Sequence, residues 1–224
     1  RPDLHRILRS WYNSVQGKTL TSMLSLLAIL LSRALPDDVL VRRYTDGNVR
    51  ALELLYDRYR GQVLSFLTRL MGDAAEAEDA YVETWAHVAR ALPQYEARGR
   101  FRSFLFTVAR REALHILEKR ANRDSRQALG GEALDVDRVQ ASDDSPEARV
   151  DRKEMARRLE EALGGLTEEL RACFVLYHAQ GLTVPEVAEA TGLSPATVKR
   201  RIGKARSILA ARLTPVVEAA DALA

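Results

Sequence analysis

From Asp37 to about Met71 the apolar residues Val39, Leu40, Ala51, Leu54, Leu55, Tyr59, Val63, Phe66, Leu67 and Leu70 recur at helical spacing. The β-branched alternation of strands is nearly absent, so the pattern predicts an all-α protein. TDGN, residues 45–48, breaks the run into two helices. Gly72 closes the second, and Asp73 caps a third. Its buried stripe is Ala77, Ala80, Tyr81, Thr84, Val88 and Ala91, and Asp79, Val82, Glu83 and Ala86 face away with Arg90 below. Pro93 ends that helix, and PQYEARGR reads as a loop. FRSFLFTVARREALHILEKR then makes a long basic amphipathic helix, ending near Arg120.

Residues 123–147 break the pattern. They carry Gly-Gly, Ser, Asp and Pro, with seven acids and three bases, and read as a flexible acidic linker. Helical spacing resumes near Ala148 with ARVDRKEMARRLEEALGGL, and again with TEELRACFVLYHAQG, which Gly181 stops. The expected organisation is two small helical domains, 36–122 and 148–214, joined by the linker 123–147. An extension of uncertain status, 1–35, precedes them, and a tail, 215–224, follows.

LTVPEVAEATGLSPATVKRRIGKAR, residues 182–206, is the most informative stretch. Thr183 and Glu186 make a capping box for a helix over Val184–Thr191. Gly192-Leu193-Ser194 turns the chain, Ser194 caps the next helix, and Pro195 takes its first position. Val198, Ile202, Ala205 and Leu209 form the core stripe. Ala196, Arg200, Gly203 and Ser207 lie opposite, flanked by Lys199, Arg201, Lys204 and Arg206. Residues 194–212 hold six basic side chains and no acid. A small N-terminal turn, with Ala196 and Thr197, and a wholly cationic outer face suit the major groove. Arg200 and Lys199 are placed to donate to guanine edges, and Arg201, Lys204 and Arg206 to hold phosphates. A solvated charged face is the blander account. The coincidence of both caps, the turn and the unmixed charge favours DNA.

Composition adjusts this picture little. Of 224 residues 46% are hydrophobic, and the net charge is +3 with a pI near 9.1. The distribution of charge matters more than its sum. Residues 98–123 hold eight bases against two acids, with Tyr95, Phe101, Phe104 and Phe106 interleaved. Cations on a backbone beside aromatic walls are what capture of an unstacked base requires. Leu105, Val108 and Phe104 are expected in the core, which leaves Tyr95 and Phe101 as the ring contacts. One cysteine, Cys173, precludes an internal disulfide and reads as a small core residue, and His178 reads as structural. The histidines show no metal spacing, and no phosphate loop or catalytic triad appears, so neither a cofactor nor an enzyme is expected. The longest apolar run, Met23–Leu31, is shorter than the roughly 18–20 residues of a membrane span, so no stable membrane insertion is expected. Behind Arg6, Arg9 and Lys18 it faintly resembles a signal peptide. A short helix, or residues outside the natural protein with Met23 as initiator, are the alternatives.

Two families share the 182–206 pattern. One is the helix-turn-helix of autonomous response regulators, and the other is region 4 of bacterial sigma factors. The N-terminal half decides between them. AEDAYVETW and FRSFLFTVARREALHIL resemble region 2 of the extracytoplasmic-function sigma factors, and the resemblance runs over residues 36–213.

That resemblance implies a cytoplasmic specificity subunit of RNA polymerase that directs promoter-specific initiation. Region 2 would melt and read the −10 element through Tyr95, Arg98, Arg100, Phe101, Arg102, Arg110 and Arg111. Region 4 would read the −35 element through Ala196, Thr197, Lys199, Arg200, Arg201, Gly203, Lys204 and Arg206. Asp79, Val82, Glu83, Ala86 and Arg90 would dock the clamp coiled coil of the largest core subunit, and the flap of the second largest is a further implied contact. This chain departs from the family at Val82, where Gln is common, and the departure bears on the detailed contacts. It also implies an anti-sigma factor, and a linker that threads the RNA-exit path as a nucleic-acid mimic; a plain solvated tether fits its composition equally.

Overall fold

The computed structural model describes residues 35–96, 99–124 and 146–221. Among them the regular elements are all helical. Helix α1 spans Asp37–Thr45, α2 Val49–Met71 and α3 Ala74–Ala91. A short 3-10 turn, Leu92–Gln94, leads into the loop before α4, Phe101–Asp124. The second group comprises α5 (Pro146–Gly164), α6 (Glu168–Phe174) with a π turn (Val175–Ala179), α7 (Val184–Thr191) and α8 (Pro195–Asp221).

Local chemistry sets these boundaries. Asp37 and Asp38 in the first turn of α1, and Arg42 and Arg43 in the last, complement its dipole. Gly72 stops α2 in the left-handed region, at φ 74°, where a Cβ would be strained. Asp73 then accepts a 2.9 Å bond from the Glu76 amide and opens α3.

On α2 the residues Leu52, Leu55, Tyr56, Tyr59, Val63, Phe66, Leu67 and Leu70 are buried along one face. Helix α3 lies against both α2 and α4, so the first group packs around α2–α3–α4. Tyr56 meets Trp85 at 5.2 Å, and Phe66 meets Phe106 edge-on at 5.4 Å. Each such large side chain contributes about 1.5–3 kcal/mol by leaving water.

The two groups touch. α4 packs along α7, and α2 meets α6 and the π turn. Arg171 of α6 joins them through carbonyls near two helix ends. It donates to Leu70 O at 2.9 Å, close to the end of α2, and to Gly164 O at 2.6 Å, the last residue of α5. A cation at a helix C-terminus meets the negative end of the dipole.

Helix ends differ modestly from the expected boundaries. α4 continues to Asp124 and α5 begins at Pro146, so each enters the span assigned to the linker. α8 continues to Asp221, into the expected tail. The readings of Met23–Leu31 and of the linker as a nucleic-acid mimic fall outside the described residues.

Candidate nucleic-acid interface

The C-terminal surface is built from two caps and a turn. Thr183 Oγ1 accepts from the Glu186 amide at 3.4 Å, and Glu186 Oε2 accepts from the Thr183 amide at 2.7 Å. This is the reciprocal box read from the sequence. Gly192 at φ 70° ends α7, and Ser194 Oγ accepts from the Thr197 amide at 3.2 Å to start α8. Val198, Ile202, Ala205 and Leu209 are buried against the rest of the second group. Their burial fixes the rotation of α8.

That rotation exposes Ala196, Lys199, Arg200, Gly203, Lys204, Arg206 and Ser207. Thr197 is half-buried, with its hydroxyl 2.9 Å from that of Ser194. Arg201 turns inward, to a 2.8 Å ion pair with Glu169 of α6. Arg206 stands 3.5 Å from His178 Nε2. Burial, with the Arg206 cation second, lowers the pKa of His178 and favours the neutral ring that accepts this bond. The outer face therefore holds Lys199, Arg200, Lys204 and Arg206 around small residues.

The N-terminal surface surrounds an open cleft of about 440 Å³ lined by Ala91, Gln94, Tyr95, Glu96, Arg100, Phe104 and Glu189. Tyr95 is half-buried and stacks 4.8 Å from Phe104 at 32°. Among the described residues its buried hydroxyl has no hydrogen-bond partner within normal distance. Burial raises the Tyr95 pKa, with the Asp38 charge adding to it, so the phenol stays protonated. Asp38 Oδ2 accepts the Gly99 amide at 2.7 Å and ties the loop to α1.

Phe101 is a correction. It is 1% exposed, its ring 5.7 Å from that of Tyr59, and it belongs to the core rather than to the open surface. Phe104, expected inside, is half-buried and walls the cleft. The reason is angular. Phe101 and Leu105 share the inward stripe of α4, and Phe104 sits about 60° from Phe101 around the helix.

The expected −10 arginines are not spread on an open face. Arg100 is exposed and 3.7 Å from Glu189 of α7. Arg102 donates to the carbonyls of Gln180 and of Gly181 (3.5 Å), and to Gln62 Oε1 at 3.3 Å. Arg110 pairs with both carboxylate oxygens of Glu168, at 3.1 and 3.3 Å. Arg111 is exposed beside Glu112. Arg98 lies outside the described residues. The partners Glu168, Glu189, Gln180 and Gly181 were not legible in the sequence.

On α3, Asp79 and Arg90 are exposed, and Val82 and Glu83 are half-buried. Ala86 is a second correction. It is 3% exposed, because α3 packs against α2 on one side and α4 on the other, which widens its buried arc. Arg90 Nε covers it by donating to its carbonyl at 3.0 Å. Cys173 is fully buried, and burial pushes its thiol pKa up, against the lowering by Arg201 and Arg110. Among the described residues no cluster of His, Cys, Asp and Glu is arranged to hold a metal, and no helix is long and apolar enough to cross a membrane.

Two family descriptions match this chain. Sigma-70 region 2 covers residues 55–123, and Sigma-70, region 4 covers residues 156–209. The RNA polymerase sigma-H factor of Pseudomonas aeruginosa is 28% identical over 187 residues, 82% of this chain and 97% of that protein. The ECF RNA polymerase sigma-E factor of Haemophilus influenzae is 25% identical over 190 residues, 84% of this chain and all of that protein. The sigma factor RpoE of Bartonella quintana, solved with the anti-sigma factor NepR, superposes with a TM-score of 0.64 at 20% identity. It covers 74% of this chain and 98% of that one, a likeness of fold.

Proposed function

The chain belongs to the sigma-70 family of RNA polymerase sigma factors, in its extracytoplasmic-function group, and from that premise we propose how its two helical groups divide one promoter. As a sigma factor it directs promoter-specific transcription initiation with core RNA polymerase. In our reading the α8 face, Ala196, Lys199, Arg200, Gly203, Lys204 and Arg206, enters the major groove of the −35 element. Arg200 reads base edges at its centre. The cleft at Tyr95 and Phe104, with Arg98, Arg100, Arg102, Arg110 and Arg111 on the strand backbone, takes an unstacked base of the −10 element.

The observation that carries this reading is the angular placement on α8. Burial of Val198, Ile202, Ala205 and Leu209 leaves, over residues 195–212, an outer face whose charges are all positive. Asp79, Val82, Glu83 and Arg90 form the surface for the clamp coiled coil, and region 4 meets the flap. The factor works in the cytoplasm as an initiation factor, with RNA synthesis left to the core enzyme. An anti-sigma factor is its expected restraint, as NepR is a partner of the Bartonella protein.

The test is in-vitro transcription with core polymerase and the full chain, with start sites mapped. Discrete starts that share upstream −10 and −35 elements are expected. Failure to associate with core polymerase, or unaided binding to a symmetric operator as a dimer, would overturn the reading.

A further inference from the structure

The six cations of residues 194–212 do not stand alike. Lys199, Arg200 and Lys204 are exposed around Gly203, with Arg206 at the edge beside His178. Arg201 and Arg212 share one flank of α8, about three turns apart and about 20° from each other around the helix. Each runs to a support outside α8. Arg201, with 22% of its side chain exposed, pairs with Glu169 of α6 at 2.8 Å, and its charge reaches the buried Cys173 thiol. Arg212 donates to Ala162 O at 3.0 Å.

That carbonyl belongs to the last turn of α5, where helical partners run out. Glu161 O accepts from the Gly165 amide at 3.2 Å, Leu163 O from the Leu166 amide at 3.0 Å, and Gly164 O from Arg171 at 2.6 Å. Ala162 O remains, and Arg212 supplies it with a cation at the negative end of the dipole. Gly165 makes room for this, because a Cβ there would fall on the Arg212 guanidinium.

The apolar stripe of α8 is held by contacts without direction. Hydrogen bonds and ion pairs have direction. A flank tied at two points three turns apart fixes both the rotation and the tilt of the helix. Bidentate reading of a base edge depends on that angle far more than contact with a phosphate does.

We propose that Arg201 and Arg212 are positioning residues for −35 readout, seated on Glu169 and on the Ala162–Gly165 turn, and that neither holds a phosphate. This rests on the assignment of α8 to the −35 element. Lys199, Lys204 and Arg206 then carry the phosphate contacts, and the arginine flank sets the angle at which Arg200 meets a base.

The experiment has two readouts. The first uses holoenzyme made with each full chain. It compares transcription from a mapped promoter with transcription from the same promoter carrying a scrambled −35 element, and follows promoter binding against salt. Arg201→Ala is expected to lower the matched-to-scrambled ratio about threefold to fivefold, the effect of one partly exposed ion pair, with the log–log salt slope unchanged. Gly165→Ala, which displaces Arg212 without altering α8 itself, is expected to do the same. Lys204→Ala is the opposite case, a slope shallower by about 0.9 with the ratio intact. Glu169→Gln should lower the ratio as Arg201→Ala does, and Arg201→Glu with Glu169→Arg should recover it. The second readout is amide hydrogen exchange in the DNA-free chain. Arg201→Ala and Gly165→Ala are expected to speed exchange along α8 and leave α2 unchanged, and Lys204→Ala to change neither.

A slope shallower by about 0.9 in Arg201→Ala returns that arginine to the phosphates and overturns the proposal. An unchanged ratio in a factor that does discriminate, or unchanged exchange along α8, overturns it as well. If the natural chain shows no −35 preference while exchange along α8 rises in both variants, the positioning of α8 stands and its −35 assignment falls.

Discussion

Tyr95 and Phe104 lie ring on ring, 4.8 Å apart at 32°, while Phe101 stands edge-on to Tyr95 at 6.3 Å and is sealed from solvent. The three aromatics thus divide into two roles. Tyr95 and Phe104 form a wall a base can stack on, and Phe101 buttresses that wall from below.

The division separates binding from stability. Tyr95→Ala is expected to weaken open-complex formation by about 1–3 kcal/mol, the worth of one base on an aromatic ring. Its melting temperature should fall, but by less than that of Phe101→Ala, because Tyr95 is only half-buried. Phe101→Ala is expected to cost about 3–5 kcal/mol of folding stability through the cavity it leaves. Urea denaturation followed by circular dichroism, beside permanganate footprinting of the melted promoter, distinguishes them. Equal destabilisation by both would merge the roles.

Arg200 stands at the centre of the exposed face of α8, opposite the buried Val198–Ile202 stripe. Arg200→Ala is expected to lower transcription from a consensus −35 promoter about tenfold to a hundredfold, the worth of one bidentate base contact. It should relax preference at one −35 position while core binding survives. Lys204→Ala, a phosphate contact in this reading, should weaken all promoters alike and make binding less sensitive to salt. Competition between matched and mismatched −35 templates checks both. An Arg200→Ala loss that is uniform across templates would move Arg200 to the phosphate class.

Much of this architecture was legible in the sequence because local chemistry decides it. The Gly72–Asp73 junction, the Thr183–Glu186 box and the Val198, Ile202, Ala205, Leu209 stripe each involve residues a few positions apart, and the structure places each as expected. What escaped depends on more than one helix. Ala86 looked outward when α3 was given a single buried stripe, and contact with both α2 and α4 buries it. Phe101 and Phe104 are neighbours on one helical wheel, and only the position of Tyr59 and the loop decides which turns in. Arg110 and Glu168 are 58 residues apart, with the linker between them, and no periodicity announces that pairing.

The cap at Thr183 supports the proposed recognition helix from a distance. Thr183→Ala removes the hydroxyl that accepts from the Glu186 amide and donates to its carboxylate, and leaves the Thr183 amide bond to that carboxylate in place. A loss of about 1 kcal/mol of stability is expected, and with it more fraying of α7, the support of the turn before α8. Thr183→Ser should retain nearly all of the stability, because the hydroxyl acceptor is kept. Chemical denaturation of the three chains measures this directly. Indistinguishable midpoints would show that packing alone holds α7.

The α3 surface proposed to meet core polymerase gives the last prediction. With Ala86 buried, the outward residues of α3 reduce to exposed Asp79 and Arg90 and half-buried Val82 and Glu83. Acids on a helix meeting a basic coiled coil act through charge complementarity, which sets both register and association rate. Glu83→Arg inverts that charge at the centre of the patch. It is expected to reduce co-purification with core polymerase at least about tenfold, the effect of roughly 1.4 kcal/mol in binding. Binding of the isolated chain to duplex −35 DNA should be untouched, because α8 lies in the other helical group. Ala86→Ser, at a site turned inward, should leave core binding unchanged. If Glu83→Arg co-purifies normally while Ala86→Ser does not, the docking face is on another side of α3.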